Sequence, residues 1–160
     1  MQLTIVAAGR LRTGPERALV DDYIARATRA GRGVGLHPVS EIELEPKGAS
    51  LAERSAALLA AAPRDAYRVV LDERGRAMAS DAFAAKLADL RDAGTRAATF
   101  VIGEADGLDE SARAEADFVL ALGPQTWPHK LVRVMIAEQL YRAVAILAGS
   151  PYHRGDPGAS

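Results

Sequence analysis

Short apolar runs alternate along this chain with longer stretches in which apolar residues return every three or four positions. Runs of the first kind at 2–8, 34–39, 67–71, 98–102 and 117–120 predict five strands. Between them, residues 15–29 place Ala18, Leu19, Tyr23, Ile24 and Ala27 on one face and predict a helix that Gly31-Arg-Gly-Val-Gly ends. Ser50 followed by Glu53 has the spacing of a capping box and opens a second helix, ending near Pro63. Ser80 is the expected cap of a third, running to about Arg91 and stopping at Gly94, and a short fourth follows from Asp109. Residues 41–49 read as an irregular polar connection and 72–76 as a turn.

The last third is the most distinctive. Gly123 and Pro124 break the fifth strand, and Pro128 suits a first helical position because its ring pre-sets φ and its missing N–H is not needed there. Thr126 then offers the capping oxygen. From His129 to Leu147 nothing interrupts a helix, and Leu131, Val132, Val134, Met135, Ile136, Leu140, Tyr141, Val144, Ile146 and Leu147 cover far more than one stripe. Such a helix is buried on most sides. Part of it is expected to pack on its own domain and part on a second copy of the chain; a deep core helix in a monomer is the alternative. Lys130, Arg133, Glu138 and Arg142 exclude a membrane span here.

Strands alternating with helices throughout residues 1–160 predict a single α/β domain with a mostly parallel sheet and helices on both faces. Ligands of such sheets sit beyond the carboxyl ends of the strands, which directs attention to Leu71-Asp72, Gly103-Glu104 and the loop after Leu120. The formal net charge of −1 lacks the basic surplus of a free-standing nucleic-acid binder, so any such partner is met through a local patch or a preformed particle. Without cysteine there is no disulfide, thiolate zinc site or cysteine nucleophile, and His37, His129 and His153 lack metal-ligand spacing, so no metal is expected. The start, Met-Gln-Leu-Thr-Ile-Val, reads as a strand rather than a signal peptide, and the cytoplasm is the expected compartment. A dinucleotide fingerprint after the first strand, a P-loop lysine and a nucleophile elbow are all missing, which argues against a nucleotide-binding oxidoreductase.

What remains is a set of motifs: Ile102-Gly103, Gly107-Leu108, Thr126-x-Pro-His, Leu-Val-Arg-Val, Glu138-Gln-Leu-Tyr-Arg-Ala and Pro151-Tyr-His-Arg. Together, and over essentially the whole chain, they resemble the RlmH family of SPOUT-class methyltransferases, which methylate N3 of a pseudouridine in bacterial large-subunit rRNA. The resemblance implies an α/β fold with a deep C-terminal trefoil knot, against the general rule that chains do not thread. It also implies a homodimer whose active site joins the knot of one subunit to residues of the other. S-adenosyl-L-methionine would bind in the knot, against Leu71, Gly103, Leu122, Gly123, Pro124, Gln125, Thr126 and Trp127. The family usually has a second glycine after the first; here Glu104 stands in its place, able either to reach ribose hydroxyls or to crowd the pocket.

His129, Arg133, Tyr152, His153 and Arg154 are the candidate catalytic or substrate-contacting residues. His129 is a substrate-pocket residue or a packing histidine. Arg133, one turn along the same face, binds phosphate or the base anion, or else forms an ion pair across a dimer. An aromatic, an imidazole and a guanidinium in succession at 152–154 suit stacking and phosphate contact with a splayed-out base. Trp127 is a core anchor or a lid, Glu138 and Arg142 form a structural i, i+4 pair, and Arg10 and Arg12 add to a basic rim or are simply solvated. A non-catalytic ribosome-associated module that keeps the fold is the rival reading.

Overall fold

The computed structural model describes residues 1–154, with the side chain of Arg154 and everything after it outside the description. Five strands form one sheet: β1 (Gln2–Ala8), β2 (Val39–Leu44), β3 (Tyr67–Ala77), β4 (Ala97–Ile102) and β5 (Phe118–Ala121). Their order is β2-β1-β4-β3-β5, and every pairing is parallel. Successive strand side chains point to opposite faces, and the core divides accordingly. Leu3, Ile5, Val69, Phe100 and Leu120 meet α1 (Pro15–Gly31), α3 (Ser80–Asp92) and α5 (His129–Leu147) on one face. Val6, Val70 and Val101 meet α2 (Leu51–Ala60) and the stretch around α4 (Glu110–Ala114) on the other. The expected α/β sheet with helices on both faces is therefore present.

Two expected boundaries are corrected. The second strand lies at 39–44, not 34–39; residues 32–34 form a 3-10 turn and exposed His37 precedes the strand. Pro38 has no N–H for a ladder, and Leu3 pairs with Val39 instead. Glu41 to Leu44, the start of the expected polar connection, belong to β2, an edge strand whose alternate residues Glu41 and Glu43 turn toward half-buried Arg17 and buried Arg133. The supposed turn at 72–76 is a wide irregularity inside β3: Leu120 of β5 faces Leu71 and again Arg76, so the intervening residues loop out and pairing resumes. Gly75 sits where a Cβ would meet the Val119 carbonyl at 2.7 Å, so only glycine fits the close approach of the two chains.

Helix ends follow side-chain chemistry where the cap is present. Ser50 accepts the Glu53 N–H while the Glu53 carboxylate accepts from Ser50 and Ala49, a complete capping box. Those backbone bonds hold the Glu53 carboxyl below its usual range, so their support is present once the group is ionised and fades as acid protonates it. Ser50→Ala should cost about 1 kcal/mol in a urea melt at neutral pH. At α3 the expected cap is corrected: Ala79 occupies the cap and Ser80, inside the helix, donates its hydroxyl to Gln139 Oε1 at 2.8 Å, tying α3 to α5. At α5 Pro128 is the cap rather than the first helical residue, and its carbonyl accepts from Leu131 and Val132. Thr126 is thereby released for another role.

Helix α5 buries Ile136, Ala137, Leu140, Ala143 and Val144 against α1 and α3 of the same chain. Leu131 remains 40% exposed and Met135, Val134 and Tyr141 are half-buried. None of the described helices is long and apolar enough to cross a membrane.

Candidate functional site

The carboxyl ends of β3, β4 and β5 open onto one cavity of about 630 Å3, the place a parallel sheet reserves for ligands. Leu71 closes the regular part of β3 there, Gly103 follows β4, and Leu122, Gln125, Thr126 and Trp127 come from the loop after β5. His129, at the start of α5, completes the rim. Gly123 faces a second cavity of about 440 Å3 on the other side of that loop, beside Tyr23, Met78 and Glu138. Pro124 lines neither.

The loop is held by its own chain. Thr126 donates its hydroxyl to Glu73 Oε2 at 2.5 Å, and Trp127 donates its indole N–H to the Leu122 carbonyl at 3.1 Å. The Trp127 ring is 37% exposed at the cavity edge, so it is no core anchor. Thr126→Val removes the tie to Glu73 without disturbing the core; the expected result is a several-fold rise in the apparent constant for a cavity ligand, at nearly unchanged unfolding temperature, since one exposed hydrogen bond is worth about 1 kcal/mol.

Gly103 is glycine for a reason inside the molecule. Residues 104–107 fold back over it, with Gly107 at φ +78°, and a Cβ on Gly103 would meet the Gly107 carbonyl oxygen at 2.3 Å. The turn it supports carries Glu104 and Asp106 onto the cavity wall.

Asp72 lies at a strand end the sequence points to, but Glu73 and Arg74 escape sequence reasoning because they lie in the outlooping part of β3, which reads as an ordinary turn. The Asp-Glu-Arg-Gly run was the available signal. Asp72 accepts from the Arg74 N–H at 2.9 Å and from Arg113 at 3.1 Å, which pins the outloop to α4. The wall thus carries the carboxylates of Asp72, Glu73, Glu104 and Asp106 against the guanidinium of Arg74, with apolar Leu71, Ile102 and Leu122 beneath. Apolar floor, acidic rim and backbone-rich turns suit a nucleoside bearing positive charge. Among the described residues no group of three or more acidic or histidine side chains is placed to hold a metal.

The remaining candidates lie elsewhere. Arg133 does not line the cavity. It is 1% exposed, and its guanidinium is consumed by Glu43 at 2.6 Å, Glu41 at 3.3 Å, and the carbonyls of Ala8 and Gly9 at 2.8 and 3.0 Å. Arg17 of α1 joins the same two carboxylates. Tyr152 and His153 form a 3-10 turn packed back on the helices. The Tyr152 ring lies 4.6 Å from that of Tyr141, tilted by 53°, and sits under Arg142, and its hydroxyl donates to Glu138 Oε1 at 3.0 Å; burial and then that carboxylate push its phenol above the usual range. His153 Nε2 is 3.1 Å from Asp81. Glu138 and Arg142 form the expected i, i+4 pair. Arg154 is beyond the described side chains.

The amino-acid sequence has relatives along almost its whole length. Residues 1–153 match the family described as predicted SPOUT methyltransferases. The chain belongs to the SPOUT methyltransferase family. Similar family members include ribosomal RNA large subunit methyltransferase H of Ruegeria pomeroyi, 53% identical over 96% of this chain and 99% of that one. Those of Dinoroseobacter shibae and Roseobacter denitrificans are 54% and 53% identical over the same shares.

Proposed function

We propose that this chain methylates large-subunit ribosomal RNA with S-adenosyl-L-methionine as donor, at N3 of a pseudouridine, in the cytoplasm and on assembled ribosomes. The observation that carries the reading is the single cavity onto which Leu71, Gly103, Leu122, Gln125, Thr126, Trp127 and His129 converge. The substrate follows from the relatives named above, which match nearly end to end.

The residues present fit the donor. Its volume suits a cavity in the few-hundred Å3 range. Its adenine would lie on Leu71, Ile102 and Leu122, and the acidic wall suits its net positive charge. When bound, it would supply a methyl group on a sulfonium, passed in line to N3 as the carbon–sulfur bond breaks and a neutral thioether leaves, with the N3 proton lost to solvent. The protein's task is then alignment. The Glu73–Thr126 and Trp127–Leu122 bonds hold one wall of the cavity, and the Gly103 turn holds the other. His129, which lines the rim, would contact the acceptor base.

The chain works as one domain with a trefoil knot formed around this loop, and as a homodimer. Tyr152 and His153 are not lining residues of either cavity of their own chain. Across a dimer they and Arg154 would serve the partner's site, the aromatic ring for stacking and the cations for phosphate. The weakly acidic overall charge favours RNA presented in a particle over naked RNA.

The test is methyl transfer from labelled S-adenosylmethionine to intact ribosomes lacking the modification, beside protein-free rRNA. Label is expected in the large-subunit rRNA of ribosomes, far above that in free rRNA, and lost on Arg154→Ala. Label equal in free rRNA would overturn the particle requirement. No label from a chain that binds the donor would overturn the substrate.

A further inference from the structure

Four carboxylates stand on the wall of the donor cavity, and they are not equivalent. Asp72 is committed at both oxygens, to the Arg74 N–H and to Arg113. Glu73 and Asp106 are exposed, and Glu73 is occupied with Thr126. Glu104 is half-buried. Its Oε2 accepts from Arg54 Nε of α2 at 2.7 Å, and among the described residues its other oxygen has no hydrogen-bond partner. Arg54 is not itself a lining residue, so the guanidinium grips the carboxylate from behind the wall. The backbone is fixed as well, since Glu104 and Gly107 form an isolated bridge with the Gly107 N–H donating to the Glu104 carbonyl at 2.9 Å.

A carboxylate held at one oxygen on a closed turn is an acceptor whose ordering has already been met in the folded chain. The partner that matches it is a hydroxyl pair, and in a nucleoside-type donor the ribose carries that pair. We propose that Glu104, positioned by Arg54, accepts a hydrogen bond from a ribose hydroxyl of the methyl donor and sets the cavity's preference for ribonucleoside over deoxyribonucleoside ligands. This rests on the cavity being the donor site. It gives the Glu104 side chain the role of a specificity determinant rather than an obstruction.

Calorimetric titration with S-adenosylhomocysteine and with its 2′,3′-dideoxy analogue tests it, on wild type, Glu104→Ala, Glu104→Gln and Arg54→Ala, each with its unfolding temperature recorded. Wild type should bind the diol ligand about 10- to 100-fold more tightly, the range for one hydrogen bond to a charged group. Glu104→Ala should bring that ratio close to one by weakening the diol ligand alone. Glu104→Gln, an uncharged acceptor, should fall between, and Arg54→Ala should lower the ratio part of the way. Wild type binding both ligands equally would overturn the proposal and leave the donor site standing. So would a ratio unchanged in Glu104→Ala, or both ligands tightening in it. Wild type binding neither would overturn the donor site and the proposal together.

Discussion

Arg133→Met should be the most damaging single substitution in this protein, lowering the stability of the fold by about 3–5 kcal/mol. The guanidinium is 1% exposed and holds two carboxylates and two backbone carbonyls from two separate segments, the end of β1 with the residue after it and β2. Methionine fills much of the volume but leaves Glu41 and Glu43 with Arg17 as their one remaining cation among the described residues, and the Ala8 and Gly9 carbonyls without the Arg133 donor. Domains of this size are stable by only about 5–15 kcal/mol, so the loss is a large share of the whole. Lysine should rescue only part, because an ammonium cannot span four acceptors as the planar fork does. Urea unfolding of the three forms measures this. A loss below about 1 kcal/mol for Arg133→Met would mean that desolvation and pairing nearly cancel at this site. Arg133 is then a positioning element: it ties the start of α5, and His129 with it, to the edge of the sheet.

Gly103→Ala should abolish donor binding while leaving most of the fold. The added Cβ would lie 2.3 Å from the Gly107 carbonyl oxygen and 2.9 Å from the Leu108 side chain, both closer than any real contact. Backbone cannot yield as a flexible side chain would, so the turn at 104–107 must move, carrying Glu104 and Asp106 off the cavity wall. The cost in stability should be about 1–3 kcal/mol, the range for overpacking. The cost in affinity should exceed 10-fold, since a misplaced wall loses several contacts at once. Titration with S-adenosylhomocysteine beside a thermal melt separates the two. Unchanged affinity would place the ligand away from this turn.

Much of this was legible in the hydrophobic pattern, and the exceptions share a physical cause. α5 runs from His129 to Leu147 as its unbroken apolar run predicts, and the capping box at Ser50 is where its spacing puts it. β2 was displaced because its charged residues are buried partners rather than a solvated link. Alternation of Glu41 and Glu43 is a strand signal only once Arg17 and Arg133 are known to face them. β3 reads short in the sequence because its bulge contains Asp72 to Gly75, turn residues by composition, of which Asp72, Glu73 and Arg74 line the cavity. Among the candidate site residues, the loop from Leu122 to Trp127 is marked in the sequence by its place after the fifth strand and by the family resemblance. The role of Thr126 is not, because its partner Glu73 is 53 residues away. Arg133 reads on the page as a cation available to a ligand, and no local pattern marks a guanidinium whose acceptors lie 90 and more residues distant.

The most direct test of the account is a crystal structure of the protein with S-adenosylmethionine or S-adenosylhomocysteine bound. The account places the ligand in the cavity at the ends of β3, β4 and β5, with adenine against Leu71 and Leu122, the Gly103 turn beside it and a ribose hydroxyl at Glu104. Density for the ligand in the second cavity, between Tyr23, Met78 and Glu138, would contradict it.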